Sequence, residues 1–360
     1  MSTQSKTICL INTREESAGC RLRWLTLEEI CIYYKYEHLS SKRLELPTIL
    51  GRIKKEPNTP RSLKNIIKAL KNAAQLLLNR RINSVVTGKP SSRAILLLLL
   101  ACKTFRKTVI VDVCDLDWSK KYTLSAIKIA DIVTTPTEYL ADEIKHIRKK
   151  PLVVISDKLD YACLPSHKNV STNEPIDLLW FGNLEKEGAI RRESFAIFCK
   201  IIKNSRAFLI KNNISITIIS PRAQDSLEIL FRAIGNTSIH CESLKWSPIT
   251  MQSALAKKGF ALLPYKEPIK SCTKSPNRIE LALYSGRTVL SNGILPSLDT
   301  ELQKYITICS NNRIDESALK ALKKSKNTLE QTRALIENKQ TKIKEKWQAI
   351  ADTIICQRNS

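Results

Sequence analysis

The sequence alternates between short apolar runs and segments with helical spacing, and this alternation constrains the fold more than any other feature. In the first part of the chain the apolar runs are KTICLI, INSVVTG, KTVIVDV, ADIVTTP and PLVVIS. Apolar runs that alternate with amphipathic segments are typical of a parallel sheet covered by helices on both faces. We therefore predict an α/β fold.

The alternation restarts after a polar, proline-bearing stretch, LPSHKNVSTNEP, at residues 164–175. The apolar runs behind it are DLLWFG, ISITIIS, SIHCESL, FALLPY and RTVLSN. A chain of 360 residues with 43% apolar residues is long enough for two cores. We predict two Rossmann-like domains, 1–163 and 176–310, which face each other across a cleft. The interdomain linker is 164–175, and a helical tail follows over 311–360.

The net charge of +25 points to an anionic partner, and the charge is dense in residues 42–81, which hold 11 basic and 2 acidic residues. Nucleic acid, anionic lipid and acidic substrates all fit such a surface. Few aromatic residues and no RNA-binding signature make nucleic acid the least expected of these.

Within this basic segment, a helix after Thr59 and Pro60 should place Leu63, Leu70 and Leu77 on one face and Lys64, Lys68 and Lys71 on another. Such a helix could contact an anionic membrane, or it could be an ordinary surface helix packed by its apolar face.

The compartment is predicted from three features of the sequence. The 11 cysteines are scattered without a C-x-x-C pair, the polar N-terminus lacks a signal peptide's long apolar core, and AILLLLLAC (residues 94–102) is too short to span a bilayer. We expect a cytoplasmic protein, with peripheral attachment to the inner face of the membrane through 42–81 as a further expectation.

The stretch CTKSPNRIELALYSGRTVL (residues 272–290) places two cations, Lys274 and Arg278, at the entrance of an apolar helix. A helix entrance is already positive, so cations there are better tolerated when an anion such as phosphate lies between them and the helix. Ser275 and Asn277 could donate to the same anion. In the alternative interpretation Ser275 caps the helix, Pro276 is its first residue, and both cations are solvated.

Aspartates cluster at and just beyond the end of KTVIVDV. We predict Asp112 and Asp115 as cleft residues, one of which accepts a proton from a substrate hydroxyl. The alternatives are solvated carboxylates at a strand end, or a metal-binding D-x-D formed by Asp115 and Asp117. The four histidines are scattered without a partner at metal-ligand spacing, so no metal is expected.

Several motifs occur in a fixed order along the whole chain. They are GCRLRW after the first strand, VIVDVCDLD, ADIVTTPTEYLADEI followed by VVISD, LLWFGN, and KSPNRIELALYSGRTVL. In this order and spacing they resemble the nucleotide-sugar glycosyltransferases of the GT-B class, group 1 type, in a K-S-x-N-R variant. The resemblance implies transfer of a sugar from a nucleotide-diphosphate donor to a hydroxyl of a glycan or lipid-linked glycan acceptor. It also implies that no metal or other cofactor is required.

The resemblance implies roles for residues in both halves. On the donor side it implies Gly182, Asn183, Trp246, Lys274, Ser275, Asn277, Arg278 and Glu280, and on the acceptor side Gly19, Arg21 and Arg23. The usual E-x7-E pair is not matched, because its second position falls on Leu281, one residue past Glu280, and its first falls near Thr273. The stereochemical outcome of the transfer is therefore left open, as is an inactive protein of the same fold that binds without turnover.

Overall fold

A computed structural model describes residues 6–11, 22–23, 26–27, 29, 39–44, 63–88, 93–114, 121–148, 151–165, 175–184, 189–235, 238–265 and 275–356. Its contacts divide the chain into two compact units. Unit 1 comprises Met1–Lys158 and Thr341–Ser360, and unit 2 comprises Leu159–Gln340.

Unit 1 contains a six-stranded parallel sheet in the order β2-β1-β3-β4-β5-β6. The strands are β1 (Lys6–Ile11), β2 (Leu39–Leu44), β3 (Ile82–Thr87), β4 (Thr108–Asp112), β5 (Ile132–Thr135) and β6 (Leu152–Val154). The helices are α1 (Leu63–Leu78), α2 (Arg93–Thr104), α3 (Lys121–Ile129) and α4 (Glu138–Lys145).

Unit 2 contains a second six-stranded parallel sheet in the order β12-β11-β10-β7-β8-β9. Its strands are β7 (Asp177–Phe181), β8 (Ser215–Ser220), β9 (Cys241–Lys245), β10 (Gly259–Leu262), β11 (Thr288–Ser291) and β12 (Ile306–Ile308). Its helices are α5 (Ala189–Lys211), α6 (Ala223–Ile234), α7 (Pro248–Ala256), α8 (Asn277–Tyr284), α9 (Thr300–Gln303) and the first part of α10 (Glu316–Cys356).

The strand order places a topological switch point in each unit. In unit 2 the first strand, β7, lies between β8 and β10, so the chain leaves it in opposite directions along the sheet. Open parallel sheets bind ligands outside the carboxyl ends of the strands at such a point. In unit 2 the carboxyl ends of β7 and β10 are therefore where a ligand site is expected.

The prediction of two parallel-sheet α/β domains is confirmed, because DLLWFG pairs with the strands of unit 2 and with none of those of unit 1. The predicted cleft between the domains stays a prediction. Unit 2 starts before the predicted linker, since Leu159 and Cys163 pack in its core. Linker residues 166–174 lie outside the described residues.

The tail forms one helix, α10, whose residues belong to both units. Its last turns contribute Ile343, Trp347, Ile350 and Ile354 to the core of unit 1, against Ile8, Leu10 and Val86 of the sheet. Ile336, earlier in the same helix, is buried in the core of unit 2.

Two strands were not predicted. The strand β2, LSSKRL, lies partly in the basic segment 42–81 and pairs only with β1 at the sheet edge. An edge strand needs hydrogen bonds on one side only and tolerates Ser, Lys and Arg, so it gives no apolar signal. The strand β12 has three residues, which is too short for a periodicity to be visible.

The buried face of α1 agrees with the expected one in part. Leu77 packs against the core of unit 1 as expected, together with Leu76 and Ala73, whereas Leu70 is 66% exposed. In α2, Ile95, Leu98, Leu99 and Cys102 are buried while Leu97 and Leu100 are exposed, so this apolar helix is only partly buried. In the described part of the chain, no helix combines the length and the apolar character needed to cross a bilayer.

Candidate functional site

The carboxyl end of β7 and the start of α8 meet in unit 2. The Nη1 atom of Arg278, in the first turn of α8, donates a hydrogen bond to the carbonyl oxygen of Phe181, at 2.9 Å. The guanidinium passes over Gly182, where an added Cβ would lie 2.9 Å from Nη1 and 3.0 Å from two ring carbons of Trp180. Glycine is needed here because any side chain would displace Arg278 or the indole.

Arg278 is a half-buried cation without a carboxylate partner among the described residues. Two other polar groups from the same two segments, Asn183 Oδ1 and Ser275 Oγ, are buried and make no hydrogen bond within the described part of the chain. A buried polar group without a partner costs about 1–3 kcal/mol. A ligand can satisfy this set: an anion suits Arg278 and the Ser275 hydroxyl, which can donate to it, whereas Asn183 Oδ1 can only accept and suits a hydroxyl of the same ligand.

The geometry of α8 does not support the alternative in which Ser275 caps the helix. Pro276 occupies the capping position, and no side chain makes a capping hydrogen bond. The buried face of α8 includes Ile279, Ala282 and Leu283, as its spacing predicts. The helix ends at Tyr284, with Ser285 as its C-cap, and Gly286 follows with a φ of +87°, which favours glycine. Asn277, the first residue of α8, is buried.

Glu280 is fully buried and forms an ion pair with Lys339 of α10, with 2.5 Å between Oε1 and Nζ. Leu281, the position of the expected second glutamate, is buried as well. This geometry gives Glu280 a packing partner in the same unit, so its contact with a donor stays a prediction.

Two residues that the sequence did not single out join the carboxyl ends of β10 and β11. The backbone N–H of Tyr265 donates to Asn292 Oδ1, and Asn292 Nδ2 donates back to the Tyr265 carbonyl, each at 2.8 Å. Burial raises the pKa of the Tyr265 hydroxyl, while the charge of Arg278 opposes that rise and Glu280 adds to it. These charge effects indicate that Tyr265 lies near the start of α8. The sequence could have indicated these two residues, because a tyrosine and an asparagine follow two neighbouring strands at their carboxyl ends.

Trp246 follows β9 and precedes α7. Its backbone N–H donates to the Ser220 carbonyl at 3.1 Å, and its half-buried ring packs against the core of unit 2. Beside it, Ser247 and Thr250 form a capping box with Pro248 in the first helical turn. In unit 1 the N-cap of α4 is Thr137, whose hydroxyl oxygen accepts a hydrogen bond from the Leu140 N–H.

In unit 1, Asp112 ends β4 and forms a buried ion pair with Arg23, with 2.6 Å between Oδ1 and Nη2. Arg23 Nη1 also donates to the Ile155 carbonyl and to Asp157 Oδ1, at 2.5 and 3.0 Å. Its guanidinium lies 5.8 Å from the ring centroid of Trp347, within cation–π range. Arg23 is therefore a buried residue of the unit 1 core and not a surface side chain.

The surroundings of Asp112 leave little room for proton transfer. Thr134 donates its hydroxyl to Oδ1 at 2.5 Å, and Cys114 donates its thiol to Oδ2 at 3.3 Å. Burial alone would raise the pKa of Asp112, but the charge and hydrogen bonds of Arg23, with those of Thr134, outweigh it and lower the pKa. A carboxylate held this way is a weak base.

Four predicted site residues, Gly19, Arg21, Asp115 and Lys274, lie outside the described residues. The structure brings together Gly182 and Arg278 in unit 2, and it pairs Asp112 with Arg23 in unit 1. Among the described residues, no group of three or more His, Cys, Asp or Glu side chains is placed to hold a metal ion.

No protein-family model and no curated protein matches the sequence. Solved structures do match over almost the whole chain. Sucrose-phosphate synthase from Thermosynechococcus elongatus is 12% identical with a TM-score of 0.54, covering 98% of this chain and 97% of that chain. The lipopolysaccharide outer core galactosyltransferase WaaB is 13% identical with a TM-score of 0.52, covering 98% and 99%.

UDP-GlcNAc 2-epimerase from Neisseria meningitidis, solved with bound UDP-GlcNAc, is also 13% identical with a TM-score of 0.52, covering 97% and 99%. The chain thus has a GT-B glycosyltransferase-like fold, as the resemblance implied. At these identities the likeness shows the fold alone, and the K-S-x-N-R variant stays a prediction.

Proposed function

We propose that the protein is a glycosyltransferase that moves a sugar from a nucleotide-diphosphate donor to a hydroxyl group. The observation that carries the proposal is the half-buried guanidinium of Arg278, held at the carboxyl end of β7 without a carboxylate partner in the described structure. The fold supports it, because the similar solved structures include glycosyltransferases and an epimerase bound to UDP-GlcNAc.

In this proposal the donor diphosphate lies at the start of α8. Arg278 and Lys274 bind its oxygens, and Ser275, Asn277 and Asn183 donate hydrogen bonds. Gly182 allows the donor to approach the backbone closely, and Trp246 lies beside the nucleotide base of the donor. Negative charge grows on the leaving diphosphate as the sugar departs, so these groups stabilise the transition state more than the ground state. Charge balance by side chains and a helix start requires no metal and no other cofactor.

Unit 1 is the proposed acceptor side. Asp112 is held by Arg23 and Thr134, so in this proposal Asp112 positions Arg23. Asp115 is the proposed base that accepts the proton of the acceptor hydroxyl. Gly19 and Arg21 are proposed to contact the acceptor directly.

A panel of UDP-, GDP-, ADP- and dTDP-sugars, scored for thermal stabilisation and for turnover, tests the proposal. Arg278→Ala should lower kcat/KM by about one to two orders of magnitude, since a charge-assisted contact contributes roughly 1.5–3 kcal/mol. Arg278→Lys should recover only part, because lysine lacks the two-pronged geometry of arginine.

Arg222→Ala is the matched control. Arg222 caps α6 after the carboxyl end of β8, in the same sheet, and it pairs with Asp225 on the surface. Its replacement should leave turnover unchanged. Normal nucleotide binding by a folded Arg278→Ala protein would refute the phosphate role.

A lipid-linked glycan at an anionic membrane is the proposed acceptor. Exposed leucines of α1 and α2, among them Leu70 and Leu97, are accompanied by the exposed cations Lys71, Arg80 and Arg81. Each cation near an anionic lipid surface contributes about 1 kcal/mol. We therefore place peripheral attachment on this side of unit 1, within and beside residues 42–81, in a cytoplasmic protein.

Replacing Lys71, Arg80 and Arg81 by Gln should weaken sedimentation with phosphatidylglycerol vesicles by more than tenfold at low salt. The charge-matched control replaces Lys200, Lys203 and Lys211 of α5, which are exposed in unit 2. Equal loss in both triple variants would show that net charge alone drives binding.

A sugar-nucleotide 2-epimerase is the second candidate, because the epimerase from Neisseria meningitidis has the same fold and a similar TM-score. Epimerisation proceeds without an acceptor, so a change in the sugar of the donor without transfer would favour it. Nucleotide binding without any turnover would favour an inactive binding protein. Salt-sensitive gel shifts with no nucleotide response would favour a nucleic-acid-binding protein.

A further inference from the structure

Unit 2 contains a cavity of about 440 Å³ that lies away from the start of α8. It is bounded by the end of α8 at Leu283 and Gly286, by Thr288 at the beginning of β11, and by α10 from Ala321 to Thr332. Thr288 is the first residue of its strand, so the cavity opens towards the amino ends of the strands. The Arg278 site lies at the opposite, carboxyl ends. Cavities of roughly 300–1,000 Å³ accommodate small molecules.

The charged groups that line this cavity are all cationic. They are Arg287, Lys304 and Lys324, and no acidic side chain is among the described lining residues. Lys304 also pairs with Glu301 on the surface, whereas Lys324 is exposed and has no described ion pair. Lys304 and Lys324 thus give the mouth of the cavity a positive charge that only the exposed Glu301 offsets, and such a charge favours an anion there.

Arg287 also lines the cavity, but it already has an anionic partner, because Asp177 Oδ2 lies 2.8 Å from its Nη2. The Arg287 side chain is 1% exposed. Four of its five N–H groups lie on the two terminal nitrogens. These nitrogens donate to the carbonyls of Phe260 and Ala254 and form the ion pair with Asp177. The fifth, on Nε, is buried and finds no hydrogen-bond acceptor in the described part of the chain. Asp177 Oδ2 makes no hydrogen bond in the described part of the chain either, so the two groups belong to the same buried ion pair and Arg287 is not assigned to the ligand.

The cavity wall offers hydroxyl oxygens whose protons are already committed. Ser325 and Thr328 donate to the carbonyls of Leu322 and Ser325, and Thr332 donates to the Leu329 carbonyl. Thr288 donates to the Ser325 hydroxyl. The remaining lone pairs of these oxygens can only accept, and they therefore suit a ligand that carries hydroxyl groups of its own.

We propose that this cavity is a binding site for a phosphate monoester of a sugar or another small polyol. Lys304 and Lys324 bind the phosphate, the hydroxyl oxygens on α10 accept hydrogen bonds from the ligand's hydroxyls, and Leu283 and Leu329 cover its apolar face. The site is separate from the one proposed for the donor, and it does not depend on transferase activity.

Calorimetric titration of the full-length protein with glucose 6-phosphate, inorganic phosphate and glucose tests the site. We expect glucose 6-phosphate to bind at least tenfold more tightly than either of the other two probes. Inorganic phosphate lacks the sugar hydroxyls that would contact α10, and glucose lacks the phosphate that would contact the lysines. The double variant Lys304→Gln/Lys324→Gln should weaken glucose 6-phosphate binding by about tenfold or more. Thr328→Val, which keeps the shape and removes one acceptor, should weaken it by about three- to tenfold.

Lys320→Gln/Lys323→Gln is the matched control, since both lysines are exposed on α10 and neither lines the cavity. It should bind glucose 6-phosphate as the wild type does. Arg278→Ala should also leave this binding intact. Loss of binding in Arg278→Ala with retention in the Lys304/Lys324 variant would place the sugar phosphate at the donor site and overturn the proposal. So would equal affinity for glucose 6-phosphate and inorganic phosphate.

Discussion

Among the described residues, each unit contains one arginine–aspartate pair that is almost completely buried, and the two pairs differ in their surroundings. Arg23 of unit 1 bonds two carboxylates, Asp112 and Asp157, and its pKa is raised, because their charges outweigh the opposing effect of burial. Arg287 of unit 2 pairs with one carboxylate, Asp177, and otherwise bonds backbone carbonyls. Burial lowers the pKa of Arg287, and the single carboxylate only partly offsets it.

The two pairs also lie at opposite ends of their strands. Asp112 is the last residue of β4, at the end where parallel sheets bind ligands. Asp177 is the first residue of β7, beside Gly259, where an added Cβ would lie 1.9 Å from the Asp177 carbonyl oxygen. The pair in unit 2 therefore fastens the starts of adjacent strands, and the pair in unit 1 shapes a strand end next to the partly exposed Asp157.

The comparison teaches that a buried ion pair alone does not mark a functional site. The role of such a pair depends on the end of the strand at which it lies and on how many carboxylates contact the arginine. In unit 2 the arginine at the carboxyl ends of the strands is Arg278, which has no carboxylate partner in the described structure. Unit 2 thus has one arginine that pairs with a carboxylate, Arg287, and another that does not, Arg278.

The largest effect is expected for Arg287→Met. The change leaves the Asp177 carboxylate buried without its cation and removes the donors to three carbonyls, so the free energy of unfolding should fall by about 3–5 kcal/mol. Urea denaturation at pH 7 measures the change. Arg232→Met on α6 breaks an exposed pair with Glu228 and should cost less than about 1 kcal/mol. A loss of similar size in both variants would contradict the fastening role.

A smaller effect is expected for Asp112→Asn, because Arg23 keeps Asp157 and the Ile155 carbonyl. The cost at pH 7 should be about 1.5–3 kcal/mol. The pKa of Asp112 is lowered in the folded protein, so its contribution is complete above the unfolded value of roughly 3.9 and is lost as the pH falls towards the folded value. The stability gap between wild type and Asp112→Asn should therefore narrow below about pH 4. Urea midpoints at pH 7 and pH 3 test this, and a gap that is constant with pH would contradict the lowered pKa.

The smallest effect on stability is expected for Gly182→Ala. The new Cβ would push the end of Arg278 away from the Phe181 carbonyl and crowd Trp180, at a cost of about 1 kcal/mol. Nucleotide-sugar binding should weaken several-fold if the proposed function is right. Gly293→Ala is the control, since its Cβ would meet no atom within 4 Å. Unchanged binding in Gly182→Ala would remove the link between Gly182 and Arg278.

Much of the fold follows from local patterns in the sequence. The buried strands are apolar runs, and helices such as α8 show their buried face through the spacing of Ile279, Ala282 and Leu283. The capping box at Ser247 and the glycine that follows α8, Gly286, depend on short-range backbone chemistry. Neighbouring residues alone specify these features, so a local reading of the sequence can reach them.

The contacts of the candidate site depend on residues far apart in the chain. Arg278 meets Phe181 across 97 positions, and Arg23 meets Asp112 across 89. The sequence indicated that each of these residues was polar and near a strand end, but not that Arg23 would be buried while Arg278 would lack a carboxylate. The pairing of Glu280 with Lys339 and the exposure of Leu70 are of the same kind.

The sequence by itself determined the two parallel sheets, the helix that begins with Asn277, and the cations at its entrance, because periodicity and capping act over a few residues. Only the tertiary structure decided which arginine has a carboxylate partner and which has none among the described residues. That choice depends on the strands that packing brings together and on the water that burial removes, and neither is written in any single stretch of the chain.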